Sequence, residues 1–363
     1  MAAAADPKGS IRDMSTGQVS TDDDSTSCRC LCGELVGVCE AAATAAAVWR
    51  GRGDGLSADL AAREAMAGAL EGMFFYGEVV VGRGGTDSPC DLRLGQRVGR
   101  GWQPSPPLGE VGAPEGNEVV WELAVDALEG RSAVAKGQPG ALAVIAAGPP
   151  GSFMRVPEMY MQKIVVPGDA ARALDVGAPV LDNVKAVAAA LGRPVSELSV
   201  IVLDRPRHDE LIVQVKQSGA RVTLISDGDI SAGIASAAQV PGVDMCIGIG
   251  GSTEGIITAA ALRCLGGAIH ARFWPVSRHQ VEQLRVLPVA DVEASLSTDD
   301  LVRKDVVFAA AAVTDGRFLK GVAFEDGRVR TETIVMCSRC RRIRLVKGMS
   351  GPAAGKGLAV WAR

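Results

Sequence analysis

The alternation of element types between residues 199 and 265 constrains this chain more than any other feature. Apolar, β-branched runs at 199–203, 222–226 and 243–248 are separated by helical patterns at 209–218, 230–238 and 254–265. A helix between two strands returns the chain in its original direction, so this order predicts a parallel sheet flanked by helices, an α/β architecture. In such sheets ligands sit beyond the carboxyl ends of the strands. Three polar segments fall there: Arg205-Pro206-Arg207-His208, Asp227-Gly228-Asp229, and Gly248-Ile249-Gly250-Gly251-Ser252-Thr253-Glu254-Gly255.

Upstream, residues 33–49 are Ala-, Val- and Leu-rich and predict a helix, and Ser57 and Asp59 open a second one. Runs at 78–81, 119–125 and 141–147 read as strands, and Asp182 or Asn183 caps a further helix. Residues 103–117 are dense in Pro and Gly and read as an exposed insertion. Downstream, 306–312, 318–324 and 330–336 read as strands with turns at Asp315-Gly316 and Asp326-Gly327. With 363 residues the chain is long enough for two lobes. The boundaries expected are an acidic tail at 1–27, an N-terminal lobe at 28–198, a C-terminal α/β lobe at 199–348 and a tail at 349–363.

Several function classes are disfavoured. A net charge of -4 with five Trp and two Tyr offers neither a basic stripe nor a stacking platform, so nucleic acid is not an expected partner. No apolar run reaches the roughly 18 to 20 residues of a membrane helix, so no membrane span is expected. The first 27 residues lack an apolar signal core and carry Asp22, Asp23 and Asp24, so the expected setting is cytoplasmic, with an atypical plastid form as the alternative. Nine cysteines, an odd count in a long chain, argue against a secreted disulfide framework. Cys28, Cys30 and Cys32 cluster at one end, Cys337 and Cys340 at the other. Zinc joining them would require both clusters to meet in space, and C-x-C-x-C is not a standard ligand spacing, so scattered reduced thiols are the favoured reading.

Chemistry concentrates at strand ends. Asp126-Ala127-Leu128-Glu129-Gly130 follows a hydrophobic run, and clustered carboxylate oxygens suit hard cations such as Mg2+ or Mn2+. Alone, such a D-x-x-E pair is more often a solvated strand end with a helix cap. The glycine loop at 248–255 lets backbone N–H groups approach an anion, Arg205 and Arg207 offer planar forks for phosphate oxygens, and paired aspartates accept sugar hydroxyls. Each feature is bland alone; their shared position at strand ends would let one crevice gather them. Three histidines and no G-x-S-x-G leave a Ser/His/Asp hydrolase nothing to build on.

The ordered motifs then carry a likeness. Gly51-Arg52-Gly53-Asp54 with Ser57-Ala58-Asp59, Asp126 to Gly130, Ala135-Lys136-Gly137-Gln138, Met159-Tyr160-Met161-Gln162-Lys163, Arg205 to Asp209, Ser226 to Ile230 and Gly248 to Gly255 resemble class II fructose-1,6-bisphosphatases, over about residues 32–348. These bacterial enzymes are related to cyanobacterial ones that also accept sedoheptulose 1,7-bisphosphate. The resemblance implies the lithium-sensitive phosphatase fold, a layered sandwich of helices and sheets. It implies Asp59, Asp126, Glu129 and Glu254 as ligands of Mn2+ or Mg2+, with Asp126, Glu129 and Ser132 in the catalytic group. It also implies a sugar bisphosphate held by Tyr160, Arg205, Arg207, Asp227, Asp229 and Gly251, metal-assisted in-line hydrolysis of the C1 phosphate, and homo-oligomers, dimers or tetramers.

The chain departs from that pattern at chosen places. Where the family has G-E-G-E-I-D, this chain reads Gly82-Arg83-Gly84-Gly85-Thr86-Asp87, so Arg83 replaces a metal-ligating glutamate and weakens one metal site. Arg131, followed by Ser132, stands where a threonine positions water. Gly55 stands where a lysine is common, and Ala310-Ala311-Ala312 where A-T-G is usual. Two expectations follow: a phosphatase of impaired turnover, or an inactive homologue that binds sugar phosphate or serves as a subunit of a larger assembly.

Overall fold

A computed structural model describes residues 31–82, 92–102, 120–285 and 293–351. The insertion at 103–117, Arg83 and Gly85, and Cys28 and Cys30 lie outside the described residues. Two mixed sheets and three helical layers alternate. The first sheet runs β11-β12-β10-β4-β3-β1-β2, with β13 on the other side of β12; the second runs β7-β6-β8-β5-β9.

In the first sheet the strands are β1 (Tyr76–Gly82), β2 (Arg97–Val98), β3 (Val120–Glu129), β4 (Leu142–Gly148), β10 (Val307–Ala312), β11 (Ala323–Glu325), β12 (Arg328–Cys337) and β13 (Arg342–Ser350). Every residue of β4 and β10 is buried, because helices cover both faces of the sheet and neither side of a strand meets water. Along β10, Val307, Ala309 and Ala311 face a core shared with α1 (Glu34–Ala47) and α2 (Gly55–Glu71). Phe308, Ala310 and Ala312 face the opposite core, shared with α6 (Asp229–Ala237) and α7 (Ser252–Leu265). The alanine run where A-T-G was expected is thus interior strand. Asp54 starts α2 by accepting from Ser57 N at 2.9 Å and Ser57 Oγ at 2.6 Å, which satisfies an N–H with no partner inside the helix.

The second sheet holds β5 (Tyr160–Val166), β6 (Ser199–Leu203), β7 (Arg221–Ile225), β8 (Met245–Gly251) and β9 (Ala268–Trp274). Its outer face packs on α4 (Val180–Ala190) and α5 (Asp209–Gln217). The remaining helices are α3 (Arg131–Lys136), α8 (Arg278–Arg285) and α9 (Thr298–Leu301). The layers therefore run helix, sheet, helix, sheet, helix, with α6 and α7 sandwiched between the sheets.

The expected parallel sheet needs correction. The alternating unit does give parallel β6, β7 and β8. β5 then joins β8 antiparallel, and β9 pairs antiparallel with β5, so the sheet is mixed. The expected strand at 318–324 shrinks to Ala323–Glu325, because Gly321 packs against the backbone of Thr314 and Asp315 so closely that a Cβ there would come within 2.6 Å. β13 fills what was assigned in part to a terminal tail. Helix α4 begins at Val180, and Asn183 is instead a buried staple donating to the carbonyls of Asp175 and Ala178.

Candidate active site

Strand β3 was expected to end before Asp126, yet it continues through Glu129. In an even strand, residues three apart point to opposite faces. Here Asp126 opposes Val144 and Glu129 opposes Leu142, so three residues of β3 span two of β4 and a bulge restores both carboxylates to one face. That face looks into the layer between the sheets. Asp126 is 5% and Glu129 3% exposed.

Glu129 reaches the N-terminus of α6, accepting from Ile230 N at 2.5 Å and Ser231 N at 3.3 Å, where the helix dipole favours an anion. Burial nonetheless pushes its pKa well above the ordinary carboxylate range, assisted by the charges of Asp229, Asp126 and Asp227. Asp126 accepts from Leu128 N at 3.2 Å.

The second sheet brings its polar ends to the same place. Parallel β6, β7 and β8 finish on one side, delivering Arg205 and Arg207, Asp227, and Gly250-Gly251 respectively. Because β5 is antiparallel to β8, its first residue Tyr160 lies opposite Gly251. The result is a cleft of ≈ 350 Å³ lined by Glu129, Gly130, Arg131, Ser132, Tyr160, Leu203, Arg205, Arg207, Asp227, Asp229, Gly250, Gly251 and Glu254. The cationic wall is ordered: Arg207 stacks 4.9 Å from the Tyr160 ring centre and donates to Ile249 O through Nε and a terminal nitrogen, at 3.0 and 2.9 Å. Asp227 caps α3 by accepting from Ser132 N at 3.2 Å. Glu254, in the first turn of α7, folds back so far that a Cβ on Gly251 would meet its carboxylate at 2.0 Å.

Two residues named in the sequence only as parts of motifs acquire a place in the site. Lys163, buried in β5, donates to Asp229 at 2.5 Å and to Gly251 O at 3.2 Å. Burial alone would lower its pKa, but the charges of Asp229 and Glu254 overcome this and raise it, so it stays a cation. Its signal was a lone lysine inside an apolar run. His208 ties two loops together, its Nδ1 2.8 Å from Leu203 O and its Nε2 accepting from Ile249 N at 2.7 Å. Burial lowers its pKa, which fits a neutral ring donating through Nδ1.

Two of the described departures fall together. Asp59 lies 3.1 Å from Arg63 and 3.7 Å from Arg131, so cations of the chain itself neutralise this expected metal ligand. Gly55 sits against the same Arg131: a Cβ there would meet the Arg131 carbonyl oxygen at 2.9 Å. Two of the altered positions are therefore neighbours in space. Asp59 and Asp126 do not line the cleft. Among the described residues no three carboxylates bring oxygens within 4.8 Å of one another, so the four expected metal ligands do not converge on one point. The donors along the acidic wall are nonetheless hard oxygens crowded with like charge. Such a set fits a cation of the Mg2+ kind, which takes one or two carboxylates and completes its shell with water and substrate phosphate.

Layered α/β packing thus brings arginines, whose forks suit phosphate oxygens, into one cleft with buried carboxylates. Comparison with known proteins supplies the family: residues 29–350 match the model of the bacterial, glpX-encoded fructose-1,6-bisphosphatases, and the chain belongs to that family. A Synechococcus protein named D-fructose 1,6-bisphosphatase class 2/sedoheptulose 1,7-bisphosphatase is 38% identical over 326 residues, 86% of this chain and 93% of the relative. Class 2 fructose-1,6-bisphosphatases of Haemophilus influenzae and Escherichia coli are 36% and 37% identical, over 88% and 87% of this chain and 96% and 94% of theirs. The family is one of phosphoric monoester hydrolases. Among the described residues no helix is long and apolar enough to cross a membrane.

Proposed function

We propose that this chain hydrolyses fructose 1,6-bisphosphate, and sedoheptulose 1,7-bisphosphate as a second substrate, to the monophosphate and inorganic phosphate, more slowly than its relatives. The observation that carries this is the two-walled cleft, with Arg205, Arg207 and Tyr160 facing Glu129, Asp227, Asp229 and Glu254. The layered sandwich is, on the same reading, of the lithium-sensitive phosphatase type.

Arg205 and Arg207 present forks to phosphate oxygens, with Arg207 held in place by its stack on Tyr160. The N-terminal end of α7, on the edge of the cleft, adds the positive end of a helix dipole for an anion. Asp227 and Asp229 accept sugar hydroxyls, and Lys163 fixes Asp229 while removing part of its charge. Glu129 and Glu254, the two of the four expected ligands that line the cleft, would hold Mn2+ or Mg2+, whereas Arg63 and Arg131 compete with a cation at Asp59. The cation, when bound, polarises the phosphoryl oxygen and promotes ionisation of water. Without it, Glu129 keeps a proton to unusually high pH because neighbouring carboxylates and burial disfavour its charge. Ser132, at the start of α3, contributes the hydroxyl that a threonine supplies elsewhere in the family.

Purified protein with Mn2+ or Mg2+ should release phosphate from fructose 1,6-bisphosphate. Release no greater than from a Glu129→Ala control ends the catalytic reading. It would leave a sugar-phosphate-binding homologue, which the Asp59–Arg131 pair favours because a chain cation occupies the charge of an expected ligand.

A further inference from the structure

Away from the cleft, Cys32 of the first cysteine cluster meets Cys337 and Cys340 of the second. Cys32 lies in the turn before α1, Cys337 ends β12, and Cys340 sits in the turn that leads into β13. Their sulfurs all lie within 4.8 Å of one another, the one such group of three or more potential ligands among the described residues. We propose that Cys32, Cys337 and Cys340 supply three of the four ligands of a structural zinc site that staples the turn before α1 to the β12–β13 hairpin.

Four observations carry this. Tetrahedral zinc with Zn–S near ~2.3 Å needs sulfurs about 3.8 Å apart, so the three thiols reach that spacing with small side-chain rotations. Cys337-Ser338-Arg339-Cys340 presents two of them from a tight turn in which Cys340 N donates to Cys337 Sγ at 3.5 Å, a hydrogen bond that supports a thiolate on a metal. The turn is closed by Arg341 in the left-handed region, φ 51°, which lets the chain reverse directly after the second thiol. Finally, three thiolates on one Zn2+ carry a net negative charge, and Arg339, Arg341 and Arg342 surround that turn with exposed cations.

A disulfide would use two of the three sulfurs and leave the third in the same buried place. Cys32 is 6% and Cys337 2% exposed, among apolar side chains where thiolates need a metal partner. Soft thiolate ligands select zinc over the hard cations of the cleft. On binding, each coordinating thiol gives its proton to solvent, so occupancy falls as pH falls.

The site is also separate from the cleft. Cys337 pairs with Val307, and Val307 with Ala147, whereas Glu129 pairs with Leu142 further along β4. Five residues of strand between these rows put the two sites about 16 Å apart along the sheet. The metal would therefore hold the fold rather than take part in hydrolysis.

The test uses the full chain purified from zinc-supplemented culture, with metal content measured by mass spectrometry and Co2+ substituted for Zn2+. One zinc per chain should survive dialysis, and the cobalt form should show near-ultraviolet thiolate-to-metal charge transfer, which carboxylate sites lack. Cys337→Ser and Cys340→Ser should lose both signals while phosphate release in Mn2+ stays within about twofold of the wild type. If those variants fail to fold, the wild type answers alone: a thiol-reactive mercurial should release its zinc in step with thiol modification. Wild-type protein without zinc or charge-transfer absorption, signals that persist in both variants, or a disulfide among the three cysteines that zinc does not prevent would each overturn the site.

Discussion

The two walls of the cleft differ in how closely they follow the family pattern. The wall built by the second sheet keeps its arginines, its tyrosine and its glycine loop, and each is positioned by strand ends that the fold aligns. On the side of β3, α2 and α3, Glu129 lines the cleft, whereas Asp126 and Asp59 do not, and Asp59 lies against Arg63 and Arg131. Binding groups sit on ends of parallel strands, where one change leaves the others in place. Cation ligands come from elements distant in sequence, so a single arginine at 131 alters the charge seen by Asp59 on another helix. On the function proposed above, recognition and catalysis are separable, and the described departures lie on the catalytic side.

The sharpest way to break that separation is Glu129→Ala. Loss of the carboxylate between Asp126 and α6 should cost about 3 kcal/mol of barrier or more, roughly two orders of magnitude in phosphate release, while sugar-bisphosphate binding persists. Activity within tenfold of the wild type would show that the acidic wall is not where hydrolysis occurs. Next in size is Arg207→Ala on the other wall. A hydrogen bond to a charged phosphate contributes about 1.5–3 kcal/mol, so KM should rise roughly tenfold or more with kcat changed less. A fall in kcat at constant KM would instead place Arg207 in the chemistry. Smaller still is Arg131→Thr. The pair with Asp59 is half exposed, and such pairs contribute up to about 1 kcal/mol, so removing the guanidinium should tighten Mn2+ binding by about fivefold at most. Calorimetric titration with Mn2+ measures this, and an unchanged affinity would move the cause of weak binding away from Arg131. Gly55→Lys alone should lower stability, since its Cβ would press on the Arg131 backbone.

Much of this geometry was legible in the sequence where it depended on local order. The alternating unit from β6 to α7 gave strand ends, and those ends gave Arg205, Arg207, Asp227 and Gly251 their common side. What was not legible depended on pairing between distant segments. β5 and β9 extend that unit on its β8 side, and nothing in the Tyr160–Val166 run says that it turns antiparallel to β8. The β3 bulge that puts Asp126 and Glu129 on one face is a property of register against β4, so D-x-x-E spacing could only suggest convergence. The contact between Gly55 and Arg131 joins two departures that looked independent along the chain. For the cysteines, spacing pointed to scattered thiols, and only folding showed that residues near the two ends share a corner.

The smallest effect separates burial from metal binding at Glu129. Its folded pKa is raised above the unfolded value of 4.5 by burial first and by Asp229, Asp126 and Asp227 next. A carboxyl with a raised folded pKa holds its proton longer in the native state than in the unfolded one. Its stability contribution is fully present below the unfolded pKa and is lost as pH rises through the folded one. In cation-free protein, Glu129→Gln removes that titration while its amide oxygen still accepts from Ile230 N. The variant should therefore gain in Tm over the wild type as pH rises from 4.5 toward neutrality and beyond, with each kcal/mol gained appearing as about 2–4 °C. Saturating Mn2+ should reverse the order, because the wild-type carboxylate then has a cation to face and the amide does not. A Tm difference that is flat with pH, or unchanged by Mn2+, would mean that the charge on Glu129 is already balanced within the protein, and the acidic wall would lose its reason to bind a metal.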